Sequence, residues 1–413
     1  MCSAWNQSAS GVHCALSTVH CLVESRLTET SLKTYLVETL LRSGPITFER
    51  YMALCLYHPD FGYYTRGKER TGREGDYFTS SDLHPVFARL IARQAAEMWH
   101  VLDRPQPFTW VEMGAGRGLF ACDFLSWVRR ERLDFAASLD YVAIEPGVLQ
   151  RERNHQRLAD AGLANAVRLV ANTEELAPVA GCFFSNELVD AFPVSVVTRS
   201  QGRLREVYVA ADRNNLMEKL GPISDASVAA YVARYANQLE EGQRVEVNRH
   251  ALDGMRTVAG KLTRGLVITI DYGDIAERLY TPDRPRGTLL AYRRHTASED
   301  FYSAPGEIDL TAHVNFSALI DAGKAAGLAL AGFTTQERFL LALGEGNEFA
   351  DLYDPGQTAA ETLAARLRLS RLISPAGMGN VFKVLIQCKG IVQPHLAGLK
   401  YAHSGATVEG ATD

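Results

Sequence analysis

A chain of 413 residues has room for one large α/β domain with elaborations, or for two domains sharing a cleft, since domains usually hold ~100 to 200 residues. Charged residues make up 22% and the hydrophobic set 46%, the balance of an ordinary globular protein, and no apolar run is long enough to read as a transmembrane span. The 43 Lys and Arg against 48 Asp and Glu leave a formal charge of -5, which excludes a global attraction to nucleic-acid phosphates.

Residues 1–27 carry one basic residue, Arg26, and read as a loose leader lacking the chemistry of a secretory signal or a transit peptide. Residues 28–104 form an N-terminal helical region: apolar residues recur three and four apart in SLKTYLVETLLRSG and in HPVFARLIARQAAEMWHVL. Between them LYHPDFGYYTRGKERTGREGDYFTSS reads as a long loop, of the length that commonly serves as a lid or binding loop. Residues 105–390 are the expected core. In it FTWVEMG, DYVAIEP, VRLVAN and GCFFSNE alternate with the helical segments LFACDFLSWVRRE and VLQRERNHQRLADAG, the pattern of a doubly wound α/β sheet. Strand-like VSVVTR and LREVYVA follow, then a helical section over 226–262, so an insertion is expected at about 200–262. The buried-strand pattern returns in RGLVITIDYGD, and helix-like SALIDAGKAAG, strand-like LALAGFTTQ, a helical block to about residue 374 and a last strand NVFKVLIQCK complete the core. Residues 391–413 read as a flexible tail.

The strongest constellation is VEMGAGRG, where an apolar strand turns into a helix. Gly114, Gly116 and Gly118 let the backbone approach a ligand there. A dinucleotide fingerprint would need Gly or Ala where Leu119 stands, which weakens a nicotinamide reading. Glu112, two residues before the first glycine, suits the methionine ammonium group of S-adenosylmethionine. Glu145 ends the next strand, 27 positions beyond Gly118, and could accept both ribose hydroxyls. At the end of a further strand, Asn172 and Thr173 stand where an amide could read an adenine edge. The seven cysteines form no CxxC pair and no metal-ligand spacing, so a reducing compartment and no metal are expected.

Several segments in order, ITFERYMALCLYHPDFGYYTRG, GREGDYFTSS, VEMGAGRG, SNELVDAFPV, VITIDYGD and GEIDLTAHVNF, are similar to those of the MidA family over roughly residues 30–390. Mitochondrial members of that family are complex I assembly factors and protein arginine methyltransferases. The resemblance implies a Rossmann-like class I methyltransferase sheet with an N-terminal helical region and a helical insertion, and S-adenosyl-L-methionine as cofactor. It implies that the segment GDYFTS covers the cofactor, giving Asp76, Thr79 and Ser80 a binding role. The alternative is that these residues simply cap the helix that follows. Asn186 stands where the mitochondrial members carry histidine, beside the expected acceptor position.

An arginine acceptor is always cationic and its lone pair delocalised, so it must be held and polarised, which a pair of carboxylates can do. Glu187 and Asp190 fall three apart after the strand GCFFS and would share one face of a helical turn, with structural capping as the alternative. Asp271 and Tyr272 end another strand and could line the acceptor cleft. GEIDLTAHVNF offers Asp309, Thr311 and His313, of which His313 could accept a proton. The cluster Arg284, Arg286, Arg293, Arg294 and His295 reads as a solvated face or a contact for an acidic partner. The function that the resemblance implies is protein arginine methylation, with a subunit of respiratory NADH dehydrogenase or its bacterial equivalent as target. No nucleic-acid partner is expected, a homodimer stays open, and the compartment is the cytoplasm, or the mitochondrial matrix in a eukaryote. A small-molecule methyltransferase and an assembly scaffold that keeps the cofactor fold are the alternatives.

Overall fold

Apolar runs long enough to be buried on both faces dictate where the central strands fall. The computed structural model describes residues 31–66, 76, 79–375 and 377–402; the leader, most of the GREGDYF stretch and the end of the tail lie outside them. The chain forms two compact units. One is built from Glu69–Asp190, Gly254–Leu279 and His313–Asp413, the other from Met1–Lys68, Ala191–Asp253 and Tyr280–Ala312. The stretch 28–104, continuous in sequence, is therefore shared between them.

The first of these units holds an eight-stranded sheet: β1 (Phe108–Met113), β2 (Leu139–Ile144), β3 (Val167–Val170), β4 (Val179–Asn186), β5 (Leu262–Asp274), β6 (Val314–Asn315), β7 (Ala329–Thr335) and β8 (Phe382–Lys389). Their order is β7-β8-β5-β4-β1-β2-β3, with β6 pairing the end of β5. Strands β1 to β5 run parallel, and β8 enters antiparallel between β5 and β7. This is the α/β sheet expected from the strand and helix alternation. All six residues of β1 are buried. Trp110 packs against Phe124, in the helix Leu119–Glu131, and Phe184, in β4, with ring centroids 4.9 and 5.3 Å away, which joins that helix to the sheet.

Helices α1 (Val86–Val101), α2 (Leu119–Glu131), α3 (Val148–Asp160), α4 (Arg249–Lys261), α5 (Phe316–Ala325), α6 (Gln336–Glu345) and α7 (Ala359–Ile373) join these strands. Side chains close their first turns where the sequence offers an oxygen: Asn315 for α5, Thr335 for α6, and a Thr358/Glu361 capping box for α7. Part of the expected tail packs against α1. Gly398 N–H donates to Gln94 at 3.0 Å, Ala397 N–H to Glu97 at 2.9 Å, and Leu396 is buried. Its remainder, 403–413, lies outside the described residues.

The other unit corrects the expectation of a helical insertion. Its centre is a five-stranded sheet in the order Ile46–Thr47, Arg203–Asp212, Ser195–Ser200, Arg244–Val247, with Asn215–Gly221 on the far side of Arg203–Asp212. The helical section expected over 226–262 is broken by the strand Arg244–Val247. There Val245 and Val247 are buried and pair with Ser195–Ser200, so alternation outweighs the flanking helical periodicity. A second, three-stranded sheet places Leu290–Arg293 between Thr296–Ser298 and Asp309–Thr311.

Candidate cofactor and acceptor site

The order of the parallel strands reverses between β1 and β4: from β1 the chain steps outward to β2 and β3, then returns to β4 on β1's other side. Open α/β sheets bind ligands at such a switch point, outside the carboxyl ends of the strands. Glu112 to Gly118, Glu145, Asn172 with Thr173, Asn186 to Asp190, and Asp271 with Tyr272 all follow or end these strands, so topology alone gathers them on one edge.

The turn after β1 is held tightly. Gly114 and Ala115 N–H donate to Ile144 C=O at 2.9 and 3.1 Å, and Gly114, Gly116 and Gly118 have φ of 73°, 49° and 76°, a region that disfavours side chains. A Cβ on Gly118 would sit 2.5 Å from Asn154 Oδ1, whereas one on Gly116 would meet only Gly114 C=O, at 4.0 Å. Asn154, wholly buried on α3, donates to Gly116 C=O at 3.3 Å. Arg157 donates to Arg117 C=O at 3.0 Å. The glycine turn is thus fixed from behind while its Gly116 side stays clear.

Glu145 binds this turn directly. Its carboxylate accepts Gly116 N–H at 3.0 Å and Gly147 N–H at 2.9 Å. Burial pushes its pKa up despite those two bonds. Glu112 accepts the Tyr141 hydroxyl at 2.7 Å, and burial pushes its carboxyl up to about 8, with the Glu145 charge adding to the rise. Asn172 spends its carbonyl as a cap, accepting Glu174 and Glu175 N–H at 2.9 and 3.3 Å, while Thr173 is fully buried beside it.

Glu187 and Asp190 do not lie on a helical turn as the spacing suggested. Glu187 takes a left-handed conformation, φ 52°, and the amides that a helix would direct to preceding carbonyls go elsewhere. Leu188, Val189 and Asp190 N–H all donate to Asp271 Oδ2, at 3.2, 2.9 and 3.3 Å, and Tyr272 N–H donates to Asp271 Oδ1 at 2.9 Å. The Glu187 carboxylate accepts Ser80 N–H at 2.7 Å and the Asn186 amide at 2.9 Å. Burial raises its pKa to about 8. Tyr272 donates to Asp190 Oδ2 at 2.5 Å, and its ring meets His313 edge-on, 5.3 Å between centroids. His313 reaches this edge because Val314, next to it, pairs with Gly273 at the end of β5.

The covering segment is described in part. Asp76 is buried. Thr79 caps the short helix Ser80–Leu83 in a capping box with Asp82, so the capping reading holds for its side chain. Ser80 is fully buried, and its hydroxyl lies 3.4 Å from Gln336 Oε1. Asp82 also forms an ion pair with Arg117, tying this segment to the glycine turn. Asp309 and Thr311 belong to the other unit, where Asp309 accepts the Tyr64 hydroxyl at 2.8 Å. In the basic cluster, Arg286 pairs with Glu299, and Arg293 with Glu307 at 3.3 Å.

Tyr141, Asn154, Asp82 and the clamping role of Asp271 escaped the sequence reading. The TSSD spacing carried the capping box, and the alternation that puts Trp110 opposite Tyr141 in register places Glu112 and Tyr141 on one face. Asn154 carried no local signal. Among the described residues no group of three or more His, Cys, Asp or Glu could hold a metal, and no helix is long and apolar enough to cross a membrane.

These residues fit S-adenosyl-L-methionine. Gly116 leaves room for close approach, buried carboxyls suit a cation, and Thr173 Oγ1 and Asn186 Oδ1 are buried polar atoms with no hydrogen bond from the protein. Residues 90–334 match a family described as S-adenosyl-L-methionine-dependent methyltransferases. A crystal structure of a protein from Burkholderia thailandensis with S-adenosyl-homocysteine bound is 32% identical, covering 91% of this chain and 96% of that one with a TM-score of 0.82. The protein arginine methyltransferase NDUFAF7 homolog of Drosophila melanogaster is 26% identical over 398 residues, 89% of this chain and 86% of its own length. Its Homo sapiens counterpart is 25% identical over 379 residues, 86% and 82% of the two chains. Fold, glycine turn and relatives agree: the chain belongs to this family and is an S-adenosyl-L-methionine-dependent methyltransferase.

Proposed function

We propose that the enzyme methylates arginine in a protein, with a subunit of respiratory NADH dehydrogenase or its bacterial equivalent as the target. One observation carries the reading: Glu112, Glu145, Glu187 and Asp271 are all buried at the carboxyl edge of one sheet, each with its pKa raised by burial. Carboxyls held that way favour a bound cation, and both a sulfonium cofactor with its ammonium and a guanidinium acceptor are cations. The names of the Drosophila and human relatives support the arginine assignment.

Asp76, Ser80, Glu112, Gly114, Gly116, Gly118, Glu145, Asn172, Thr173 and Asn186 would hold the cofactor, with Thr79 shaping the covering segment through its capping box. When bound, it supplies an electrophilic methyl group whose bond to sulfur breaks as the bond to nitrogen forms. Glu187 and Asp190 accept the N–H groups of the guanidinium, localise its lone pair and orient one nitrogen in line. The proton released from that nitrogen passes to a carboxylate, with His313 as onward acceptor. The compartment is the cytoplasm, or the mitochondrial matrix in a eukaryote.

Incubation with tritiated S-adenosyl-L-methionine and recombinant NADH dehydrogenase subunits, followed by amino-acid analysis, tests this. Label recovered as methylarginine, lost in Glu187→Gln, is the expected result. Label on another residue type, or retained in full by that variant, refutes the assignment.

A further inference from the structure

The structure assigns to Asp271 and Tyr272 the task of positioning the acceptor carboxylates: together they clamp the turn 187–190 by its backbone and by its last side chain. This inference rests on the reading of Glu187 and Asp190 as acceptor groups.

A turn that departs from the sheet with a left-handed Glu187 has no regular partner for its amides. Asp271, wholly buried, answers with a single oxygen that takes three successive N–H groups, at 2.9 to 3.3 Å. Three bonds to one oxygen fix the direction of the peptide planes, and hence where Glu187 and Asp190 project. The other oxygen holds Tyr272 N–H at 2.9 Å, so the carboxylate also fixes its neighbour's backbone. Tyr272 then returns across the same gap, its hydroxyl 2.5 Å from Asp190 Oδ2. Its ring is wedged edge-on between His313 and Phe382, at 5.3 and 5.5 Å, which limits its rotation. Glu187 N–H donates to Ile270 C=O at 3.0 Å, so the turn is anchored to the end of β5 at both its first and last residues.

Asp271 points its oxygens at backbone amides, so it acts through the turn, as a positioning residue. The distinction is measurable. Asn at 271 keeps an oxygen for Leu188, Val189 and Asp190 and loses only the acceptor for Tyr272 N–H. The substitution D271A removes both oxygens and with them all four bonds.

The experiment compares the full-length enzyme with D271A, D271N and Y272F by amide hydrogen exchange, by calorimetric titration with S-adenosyl-L-methionine, and by methyl transfer to the NADH dehydrogenase subunits. In D271A the amides of 188–190 exchange at least tenfold faster, the cofactor Kd stays within threefold of wild type, and kcat falls at least a hundredfold with the cofactor KM unchanged. D271N restores most of the protection and most of kcat. Y272F keeps the protection and loses kcat about tenfold. Unchanged exchange in D271A, or a cofactor KM that rises in step with the loss of kcat, overturns the proposal. If D271A does not fold, D271N and Y272F decide: protection lost at 188–190 in D271N, or full kcat in Y272F, overturns it. If the wild type labels no arginine, the arginine reading fails by itself, and exchange with cofactor affinity still settles whether the clamp exists.

Discussion

Replacing Glu112 by Gln should remove a definite share of the protein's pH dependence. The Glu112 carboxyl is pushed from 4.5 to about 8 in the folded chain, chiefly by burial. Between those values the folded state holds a proton that the unfolded state has released. The stability contributed by this proton is therefore fully present below pH 4.5, declines as pH rises, and is lost by the time pH passes about 8. The slope is about 1.4 kcal/mol per pH unit, and the whole loss is at most about 5 kcal/mol. Gln keeps the volume and a carbonyl for the Tyr141 hydroxyl, 2.7 Å away in the wild type, but does not titrate. Glu187, raised to a similar value, contributes its own slope to both proteins and cancels in the comparison. Urea unfolding at pH 5.5 and 7.5, without cofactor, should show the stability of E112Q gaining on wild type by roughly 2 to 3 kcal/mol across that interval. Parallel pH profiles would refute the claim that Glu112 is protonated in the folded enzyme. The same logic makes cofactor affinity rise with pH in the wild type, because a bound ammonium favours the charged carboxylate, and E112Q should lose that rise.

Two further substitutions separate binding from folding at the glycine turn. Gly116→Val places its Cβ in ordinary contact with Gly114 C=O, at 4.0 Å, and should cost only the strain of its φ, about 1 to 2 kcal/mol, while weakening S-adenosyl-L-methionine binding by calorimetry at least a hundredfold. Gly118→Ala drives a Cβ to within 2.5 Å of the buried Asn154, so it should lower the melting temperature more than Gly116→Val does. Asp82→Asn breaks the ion pair with Arg117 and should weaken cofactor binding severalfold with little change in melting temperature, read by calorimetry and thermal unfolding.

The strands and helices of the cofactor unit were legible because their signals are local. Continuous apolar runs mark β1, β4 and β5, and 3.6-residue periodicity marks α1 and α2. The glycine turn was legible for the same reason: its residues are adjacent and their chemistry specific. What escaped notice depends on distant pairing. Nothing near Asp271 reveals that its carboxylate will cap a turn some 80 residues earlier, and spacing alone made Glu187 and Asp190 look helical. The strand Arg244–Val247 was hidden by the helices on either side of it, because only its pairing with Ser195–Ser200 reveals the alternation.

About 75 residues separate the end of β4 from the start of β5, and most of them belong to the other unit. During synthesis β4 therefore emerges with one hydrogen-bonding edge bare, and its partner arrives only after that whole stretch has been translated. At ribosomal speeds of ~5 to 20 residues per second the wait is several seconds, far longer than local hairpins and helices need to form. A nascent chain stalled in this interval exposes an apolar strand edge of the kind that recruits other chains. Neither unit is contiguous, so no simple truncation releases one intact, and chaperone dependence should fall on this stage of production.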